Sequence, residues 1–355
     1  MKQKLHFPIF NALVGSIFGA LIGYYIFRPG ISVLVGLITG LVLGAGAELL
    51  FSHLNAEHWL YRRRVLLFVL LEIPLAMLIF GPYAYVYTNS LPNHHSICCE
   101  TPLDYGAAEY EKIHIQTADG LMLSGWYVPP QEITGAVIVL LHGAHGDRTG
   151  TAWHARQFIQ AGYGVLLYDQ RALGESDGEV VAMGWVEGPD LLAVLDGLES
   201  HPEVDSTKIG IVGLSGGGHI ALNAAHLAPE RFHAMWLDGI QAQQIADFPQ
   251  AENLGEKFAT VINAMILKMA QVHFRRSAPP SFVEILPEFN HIKMVIIAGG
   301  LDDFESRVSQ KYAAIVGPNA EIWHIDNAWH VGGPVVVPEE YSQRMLDFFE
   351  IAFSR

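Results

Sequence analysis

A serine between two glycines is the first group in this sequence that could act as a nucleophile. Residues 208–212 form a short apolar run, and Gly213, Ser215 and Gly217 follow it. Where a strand turns sharply into a helix, this spacing lifts the serine hydroxyl above the edge of a sheet, and the glycines leave room for the strained turn. The alternative is an ordinary glycine-rich turn. A nucleophile would also need a base, an acid and oxyanion donors elsewhere in the chain.

A base and an acid follow the serine in the expected order. His330 lies in the glycine-bearing loop 327–333, directly after a strand-like run, and Asp302 and Asp303 end the preceding strand-like run. The order serine, aspartate, histidine is typical of this kind of turn. The structural alternatives are a solvated loop histidine and a helix N-cap. We predict His330 as base and Asp302 as acid, because Asp302 directly follows the strand, and we keep Asp303 as the alternative acid.

Backbone N–H groups near the serine could bind the negative charge that develops on a substrate carbonyl oxygen. The first core strand is followed by a glycine-bearing turn that contains His142, Ala144 and His145. We predict that the N–H groups of Ala144 and Gly216 form an oxyanion hole. His142 and His145 have no third ligand at metal-binding spacing. The sequence therefore predicts neither a metal nor a cofactor.

Alternating strands and helices would hold these groups. Two strand-like runs, 112–117 and 121–128, flank a hairpin turn, and buried strand patterns then alternate with helical patterns. This order predicts an α/β fold over residues 109–355, with a mostly parallel sheet and helices on both faces. The alternation stops between about 241 and 290, where 255–272 is an amphipathic helix candidate. We predict that this insertion forms a cap over the carboxyl edge of the sheet.

The first 88 residues predict a transmembrane region. Three long apolar stretches, 9–27, 31–51 and 65–87, are each close to the length that crosses a bilayer, and a linker of residues 89–108 follows them. A signal peptide is the alternative for the first stretch. Basic residues cluster at 62–64 and at the N-terminus, which predicts a cytoplasmic N-terminus and an extracytoplasmic α/β domain in a multi-pass cell-membrane protein. If the third stretch does not insert, the domain lies inside.

Glycines recur at every fourth position in the first two apolar stretches. Such spacing lets helix backbones approach closely within lipid and predicts a packed helical hairpin. Assembly of several copies through these helices, or a channel, is the alternative. The glycines concerned are Gly15, Gly19, Gly23, Gly36, Gly40 and Gly44.

Composition narrows the range of partners. Hydrophobic residues make up 51% of the 355 residues, which is high for a protein without membrane segments, and the net charge is −15. The acidic excess lies after residue 90, which excludes nucleic acid as the expected partner. The two cysteines, Cys98 and Cys99, are adjacent, and we expect them to be free thiols.

Two further motifs carry a resemblance to a known family. Residues 108–355 resemble an α/β-hydrolase, and within that superfamily they are similar to a membrane-tethered branch. The resemblance implies the same nucleophile, acid, base and oxyanion donors as proposed above. It also implies that Asp169 and Arg171 brace a loop, in which Ala172 stands where such proteins usually have glycine. The first motif comprises Asp119, Gly120, Leu123, Gly125, Trp126, Tyr127 and Pro129, and the second comprises Asp169, Arg171, Gly174, Ser176 and Gly178.

These observations predict a membrane-anchored serine hydrolase. It would cleave carboxylic ester or thioester bonds through a Ser-His-Asp triad and an acyl-enzyme, with a small-molecule or lipid-like ester as substrate. A serine peptidase of the same fold is one alternative, because the same groups also serve amides. A non-catalytic membrane assembly or binding protein is the other.

Overall fold

The chain comprises two compact units in a computed structural model that describes residues 80–131 and 135–354, together with positions 16, 38, 40, 41 and 78. One unit is Met1–Asn89 with Val261–Arg275, and the larger one is Ser90–Thr260 with Arg276–Arg355. The larger unit contains the sheet and every candidate site residue.

An eight-stranded sheet forms the centre of the larger unit. The order of its strands is β8-β7-β6-β5-β3-β4-β2-β1, in the numbering given below. The hairpin β1–β2 is antiparallel, β2 is antiparallel to β4, and all other pairs are parallel. This confirms the prediction of a mostly parallel sheet with an antiparallel opening. The strands are β1 Glu111–Gln116, β2 Met122–Val128, β3 Val137–Leu141, β4 Gly164–Tyr168, β5 Ile209–Leu214, β6 Ala234–Asp238, β7 Lys293–Gly299 and β8 Ala320–Ile325.

Helices cover both faces of the sheet. Because both faces are covered, every residue of β3, β4, β5 and β6 is buried, and these strands read as continuous apolar runs. Two hydrophobic clusters pack on opposite faces, one including Leu195 and Tyr312 and the other including Phe158 and Phe349. The helices are α1 Ala152–Gln160, α2 Gly188–Glu199, α3 Gly216–Leu227, α4 Leu254–Phe274, α5 Asp303–Val316 and α6 Pro338–Phe353.

The segment predicted as a cap is largely helical. It contains a 3-10 turn at Ile245–Asp247, the helix α4 and a short helix at Phe282–Ile285. The amphipathic candidate at 255–272 corresponds to α4, which runs from Leu254 to Phe274. Residues of α4 up to Thr260 belong to the larger unit and those from Val261 to the smaller one. The cap over the carboxyl edge therefore stays a prediction.

The prediction of a multi-pass cell-membrane location needs correction. No helix in the described part of the chain is both long enough and apolar enough to cross a membrane. The stretches 9–27 and 31–51 lie outside the described residues except for a few isolated positions, and so do their glycines apart from Gly40. Of the third stretch, residues 80–87 are helical. The rings of Tyr83 and Tyr87 stack on each other, and both meet the ring of His273 edge-on.

The predicted linker 89–108 is part of the larger unit from residue 90 onward. Residues Asn93–His94 pair in parallel with Leu173–Gly174, and Tyr105 is fully buried. Cys98 and Cys99 form a disulfide with each other, so the expectation of free thiols is wrong. The peptide bond between these two residues is cis.

Candidate active site

Ser215 occupies the sharp turn between β5 and α3. Its φ of 52° and ψ of −116° are rare for a residue with a side chain, and they indicate a strained turn that the surrounding packing holds. The two flanking glycines are required by close packing. A Cβ on Gly213 would lie 2.7 Å from the Cα of Gly218, and one on Gly217 would lie 2.7 Å from the Cβ of Leu141. The turn therefore has the geometry that the G-x-S-x-G spacing predicts.

The structure brings His330 to Ser215 across 115 residues of sequence. The Ser215 hydroxyl donates to His330 Nε2 at an Oγ–Nε2 distance of 2.9 Å. On the other side of the ring, the Nδ1–H of His330 donates to the carboxylate of Glu305. This hydrogen bond to Glu305 raises the pKa of His330 above its ordinary value, although partial burial of the ring acts in the opposite direction.

The carboxylate beside His330 belongs to Glu305 and not to Asp302 or Asp303. Glu305 lies in the first turn of α5 and is fully buried, and its Oε1 accepts a hydrogen bond of 2.9 Å from the N–H of Gly299. Asp302 is the N-cap of α5 and accepts from the N–H of Glu305 at 3.0 Å. Asp303 is exposed and pairs with Arg307 one helical turn later. The prediction of Asp302, or of Asp303, as the acid is therefore corrected to Glu305.

One signal in the sequence could have found Glu305. Asp302 and Glu305 are three residues apart at the start of a helical pattern, a spacing typical of an N-cap residue and the third helical residue. That spacing assigns the capping role to Asp302 and leaves Glu305 as a carboxylate near the helix N-terminus. Proximity to the strand end along the chain was the wrong criterion, because the side chain of Glu305 returns to the strand end, where it meets the N–H of Gly299.

The predicted oxyanion donors lie next to each other at the serine. A Cβ on Gly216 would lie 3.3 Å from the backbone nitrogen of Ala144, and one on Gly143 would lie 3.6 Å from the Cβ of Ser215. In the part of the chain that the structure describes, no acceptor takes a hydrogen bond from the N–H of Ala144 or of Gly216. Both donors are therefore available to a substrate oxygen.

His142 fixes the turn that carries Ala144. The N–H of Gln170 donates to His142 Nε2 at 3.1 Å, so the Nδ1–H must donate to the carbonyl of Gly143, at 2.8 Å. Burial lowers the pKa of His142, which keeps the ring neutral in this arrangement. The Gln170 side chain also donates to the carbonyl of His142, at 2.6 Å. His142 thus braces the loop, and the described residues contain no group of three side chains that could hold a metal ion.

Sequence reasoning missed two residues at the end of β6. The carbonyl of Asp238 accepts from the N–H of Ser215 at 2.8 Å, and its buried side chain accepts from the hydroxyl of Tyr341 at 2.7 Å. Burial raises the pKa of Asp238 to about 7. Gly239, with a φ of 73°, packs against the imidazole, because a Cβ there would lie 2.8 Å from His330 Cε1. Nothing in the sequence around this strand end singles out either residue.

The loop after β4 has the bracing that the resemblance implies. The buried Asp169 accepts from the backbone and guanidinium nitrogens of Arg148, and Arg171 pairs with Asp190 and Asp119. Ala172 has a φ of 64°, the left-handed region that favours glycine. Ala172, which stands where the family pattern has glycine, therefore adopts a conformation that glycine takes more readily.

Comparisons of sequence relate this chain to a known family and to curated proteins. The sequence profile of the family described as X-Pro dipeptidyl-peptidase (S15 family) matches residues 77–276. An uncharacterized 31.7 kDa protein of Escherichia coli is 35% identical over 114 residues, which are 30% of this chain and 38% of that protein. A thiohydrolase of Eupenicillium brefeldianum is 33% identical over 124 residues, which are 34% of this chain and 40% of that protein. The chain thus spans about two-fifths of the length of these curated relatives.

Comparison of structures identifies the fold. An esterase of Pyrococcus furiosus superposes with a TM-score of 0.57 at 22% sequence identity, covering 74% of this chain and 99% of that one. At this identity the likeness concerns the fold alone. Together with the strand order, it shows that the larger unit has the α/β-hydrolase fold.

Proposed function

Because this chain belongs to a hydrolase family, the X-Pro dipeptidyl-peptidase (S15) family, we propose that it is a serine hydrolase that cleaves carboxylic esters or thioesters through an acyl-enzyme. The observation that carries the proposal is the hydrogen bond of 2.9 Å between Ser215 Oγ and His330 Nε2, beside two backbone N–H groups that are open to a substrate. The relative that is a thiohydrolase supports the thioester as a substrate class.

In the first half of the reaction, Ser215 attacks the substrate carbonyl. His330 Nε2 takes the hydroxyl proton as the bond from Oγ to the carbonyl carbon forms. The resulting oxyanion accepts hydrogen bonds from the N–H groups of Ala144 and Gly216. Each such donor is typically worth about 10²- to 10³-fold in rate. Glu305 stabilises the imidazolium that forms, because its carboxylate already accepts the Nδ1–H of His330.

In the second half, His330 returns its proton and water releases the acyl group. The imidazolium protonates the leaving alcohol or thiol as the bond to the carbonyl carbon breaks, which leaves an ester between Ser215 and the acyl group. Water then attacks this ester while His330 accepts one of its protons. His330 gives that proton to Ser215 Oγ as the bond from Oγ to the acyl carbon breaks, so the cycle yields an alcohol or thiol, a carboxylic acid, free Ser215 and neutral His330.

A fluorophosphonate probe and a panel of chromogenic substrates test the proposal. We expect the probe to label Ser215 in the folded chain, and p-nitrophenyl esters and aryl thioesters to be hydrolysed. Ser215→Ala should lose labelling and at least about 10³-fold in kcat. As a matched control, Ser309→Ala removes a buried hydroxyl that has no hydrogen-bond partner among the described residues, and it should keep both activities. An unlabelled Ser215, or a Ser215→Ala variant with unchanged turnover, would contradict the proposal.

The family name favours one second candidate, a peptidase acting on X-Pro amides. The same nucleophile, base and oxyanion donors would serve an amide, with His330 protonating the leaving amine. An aminoacyl-prolyl anilide belongs in the substrate panel for this reason. Turnover of the anilide at a kcat/KM above that of the esters would assign the chain to this second class.

A further inference from the structure

His219, near the proposed nucleophile, has a ring nitrogen without a hydrogen-bond partner among the described residues. His219 lies on α3 four residues after Ser215, which is about 6 Å along the helix axis at 1.5 Å per residue. The residue as a whole is partly exposed. The mechanism proposed above assigns no step to this side chain.

Three neighbours fix the position of the His219 ring. The backbone of Gly184 packs on its stem, since a Cβ on Gly184 would lie 2.9 Å from the Cβ of His219. The ring meets Phe282 edge-on, with a centroid separation of 5.0 Å and an angle of 87°. The N–H of Gln241, two residues after the Gly239 that touches His330, donates to His219 Nε2 at 3.3 Å.

These contacts determine which ring nitrogen carries the proton. Nε2 of His219 accepts from a backbone N–H, so in the neutral ring Nδ1 is the protonated nitrogen. Burial lowers the pKa of His219 to about 4, and the ring is therefore neutral at physiological pH. Among the described residues Nδ1 has no hydrogen-bond partner, and it is not one of the enclosed polar atoms. The Nδ1–H is a fixed, uncharged donor that a bound molecule can meet.

We propose that the Nδ1–H of His219 is a specificity determinant that selects esters and thioesters with a second oxygen acceptor, a ketone or ether oxygen, a few bonds from the scissile carbonyl. This inference rests on the proposed function and deepens it. A substrate without that oxygen leaves the Nδ1–H unpaired once it has displaced water. A hydrogen bond that is formed typically contributes about 0.5–1.5 kcal/mol to binding. On this basis the preference for the oxygenated substrate is roughly 2- to 13-fold in kcat/KM.

Pairs of substrates of equal length test the proposal without depending on overall activity. On the acyl side, p-nitrophenyl 4-oxopentanoate is compared with p-nitrophenyl pentanoate. On the alcohol side, 2-methoxyethyl and butyl esters of one acid are compared by acid release. We expect wild type to prefer the oxygenated member on one side, and that side shows whether the acceptor belongs to the acyl or the leaving group. Equal kcat/KM within both pairs would overturn the proposal.

Substitutions at His219 then assign the preference to its Nδ1–H. Phenylalanine keeps the flat ring against Phe282 but has no nitrogen, so His219→Phe should bring the ratio of the two kcat/KM values to about one. Asparagine can place an amide N–H near the Nδ1 position, so His219→Asn should restore part of the ratio and keeps the test available if His219→Phe fails to fold. His226→Phe, on the same helix, should leave the ratio unchanged.

The outcomes separate the two proposals. A His219→Phe variant with the wild-type ratio would overturn the role of His219, and so would a His219→Asn variant without any restored preference. If the chain fails to hydrolyse every ester and Ser215 remains unlabelled, the proposed function itself has failed. Active enzyme with no preference between paired substrates is a failure of the His219 proposal alone.

Discussion

Glu305→Gln tests the assignment of the acid, because glutamine cannot meet both demands on this side chain. In the structure, Oε1 of Glu305 accepts from the N–H of Gly299, and Oε2 accepts from the Nδ1–H of His330. Glutamine has one oxygen and one NH₂ group. If the oxygen stays on Gly299, the NH₂ faces Nδ1 and shifts the ring proton to Nε2, where it blocks acceptance of the serine proton. If the amide is reversed, two donors meet at Gly299.

The expected loss is large in either orientation. The carboxylate no longer stabilises the imidazolium, and one orientation also holds the wrong tautomer, a combination that lowers kcat by about 10⁴-fold in a related triad. We expect a fall in kcat of roughly 10³- to 10⁴-fold for Glu305→Gln, which is about 4–5.5 kcal/mol at 1.36 kcal/mol per tenfold change. KM should change little. The assay is steady-state hydrolysis of an aryl ester, with the rate of fluorophosphonate labelling as a second measure of nucleophile activation.

Asp302→Asn provides the matched control. Asparagine caps helices as well as aspartate does, so the hydrogen bond from the N–H of Glu305 is kept and the helix start should hold. We expect kcat of this variant to stay within about threefold of wild type, because Asp302 makes no hydrogen bond to His330. A fall of 10³-fold in Asp302→Asn, with Glu305→Gln near wild type and both variants folded by thermal melting, would refute the reasoning.

Three further predictions concern the surroundings of the site. kcat/KM should fall as the pH falls through the pKa of His330, which the hydrogen bond to Glu305 raises above its ordinary value. In Glu305→Gln the carboxylate is absent, so the pH–rate profile should show the same fall at a lower pH. Gly239→Ala should lower kcat/KM by roughly 10²-fold, because the new Cβ meets the His330 ring and displaces it, and should lower the free energy of unfolding by about 1 kcal/mol, because alanine is strained at this positive φ; unchanged kinetics would contradict the packing. His154→Phe should raise the free energy of unfolding by about 1–2 kcal/mol, because both ring nitrogens of this buried histidine lack partners among the described residues. Burial lowers the pKa of His154 to about 3, so below pH 6.5 only the unfolded chain takes up the proton. The free energy of unfolding of wild type should therefore fall by up to about 1.4 kcal/mol per pH unit in this range, and urea unfolding at several pH values should show a weaker pH dependence in the variant.

Strand and helix positions were largely predictable because their signals are local. The predicted strands at 112–117 and 121–128 match β1 and β2 to within one residue, and the apolar run at 208–212 overlaps the buried strand β5. Buried parallel strands must be apolar on both faces and are bounded by turn residues, so each one is visible in a short window. The same holds for the turn at Ser215, which needs glycines at fixed offsets.

The acid and the supporting residues depend on contacts that a short window does not contain. Glu305 reaches His330 only because α5 starts at Asp302 and turns its third residue back towards the end of β7. Gly239 matters because a loop 91 residues later lays the ring of His330 against it. Predictions made from position along the chain fail at such places, because the decisive partner is chosen by the tertiary fold.

The placement of Glu305 in the first turn of α5 has a consequence for how activity responds to heat. Helix ends fray before the rest of a fold unfolds, and this end is held by the cap at Asp302 and by the hydrogen bond from the N–H of Gly299 to the carboxylate. When that turn opens, the carboxylate leaves His330 while the sheet and Ser215 stay in place. We therefore expect turnover to fall at a temperature below the melting temperature of the sheet, because opening of this one helical turn is enough to inactivate the site.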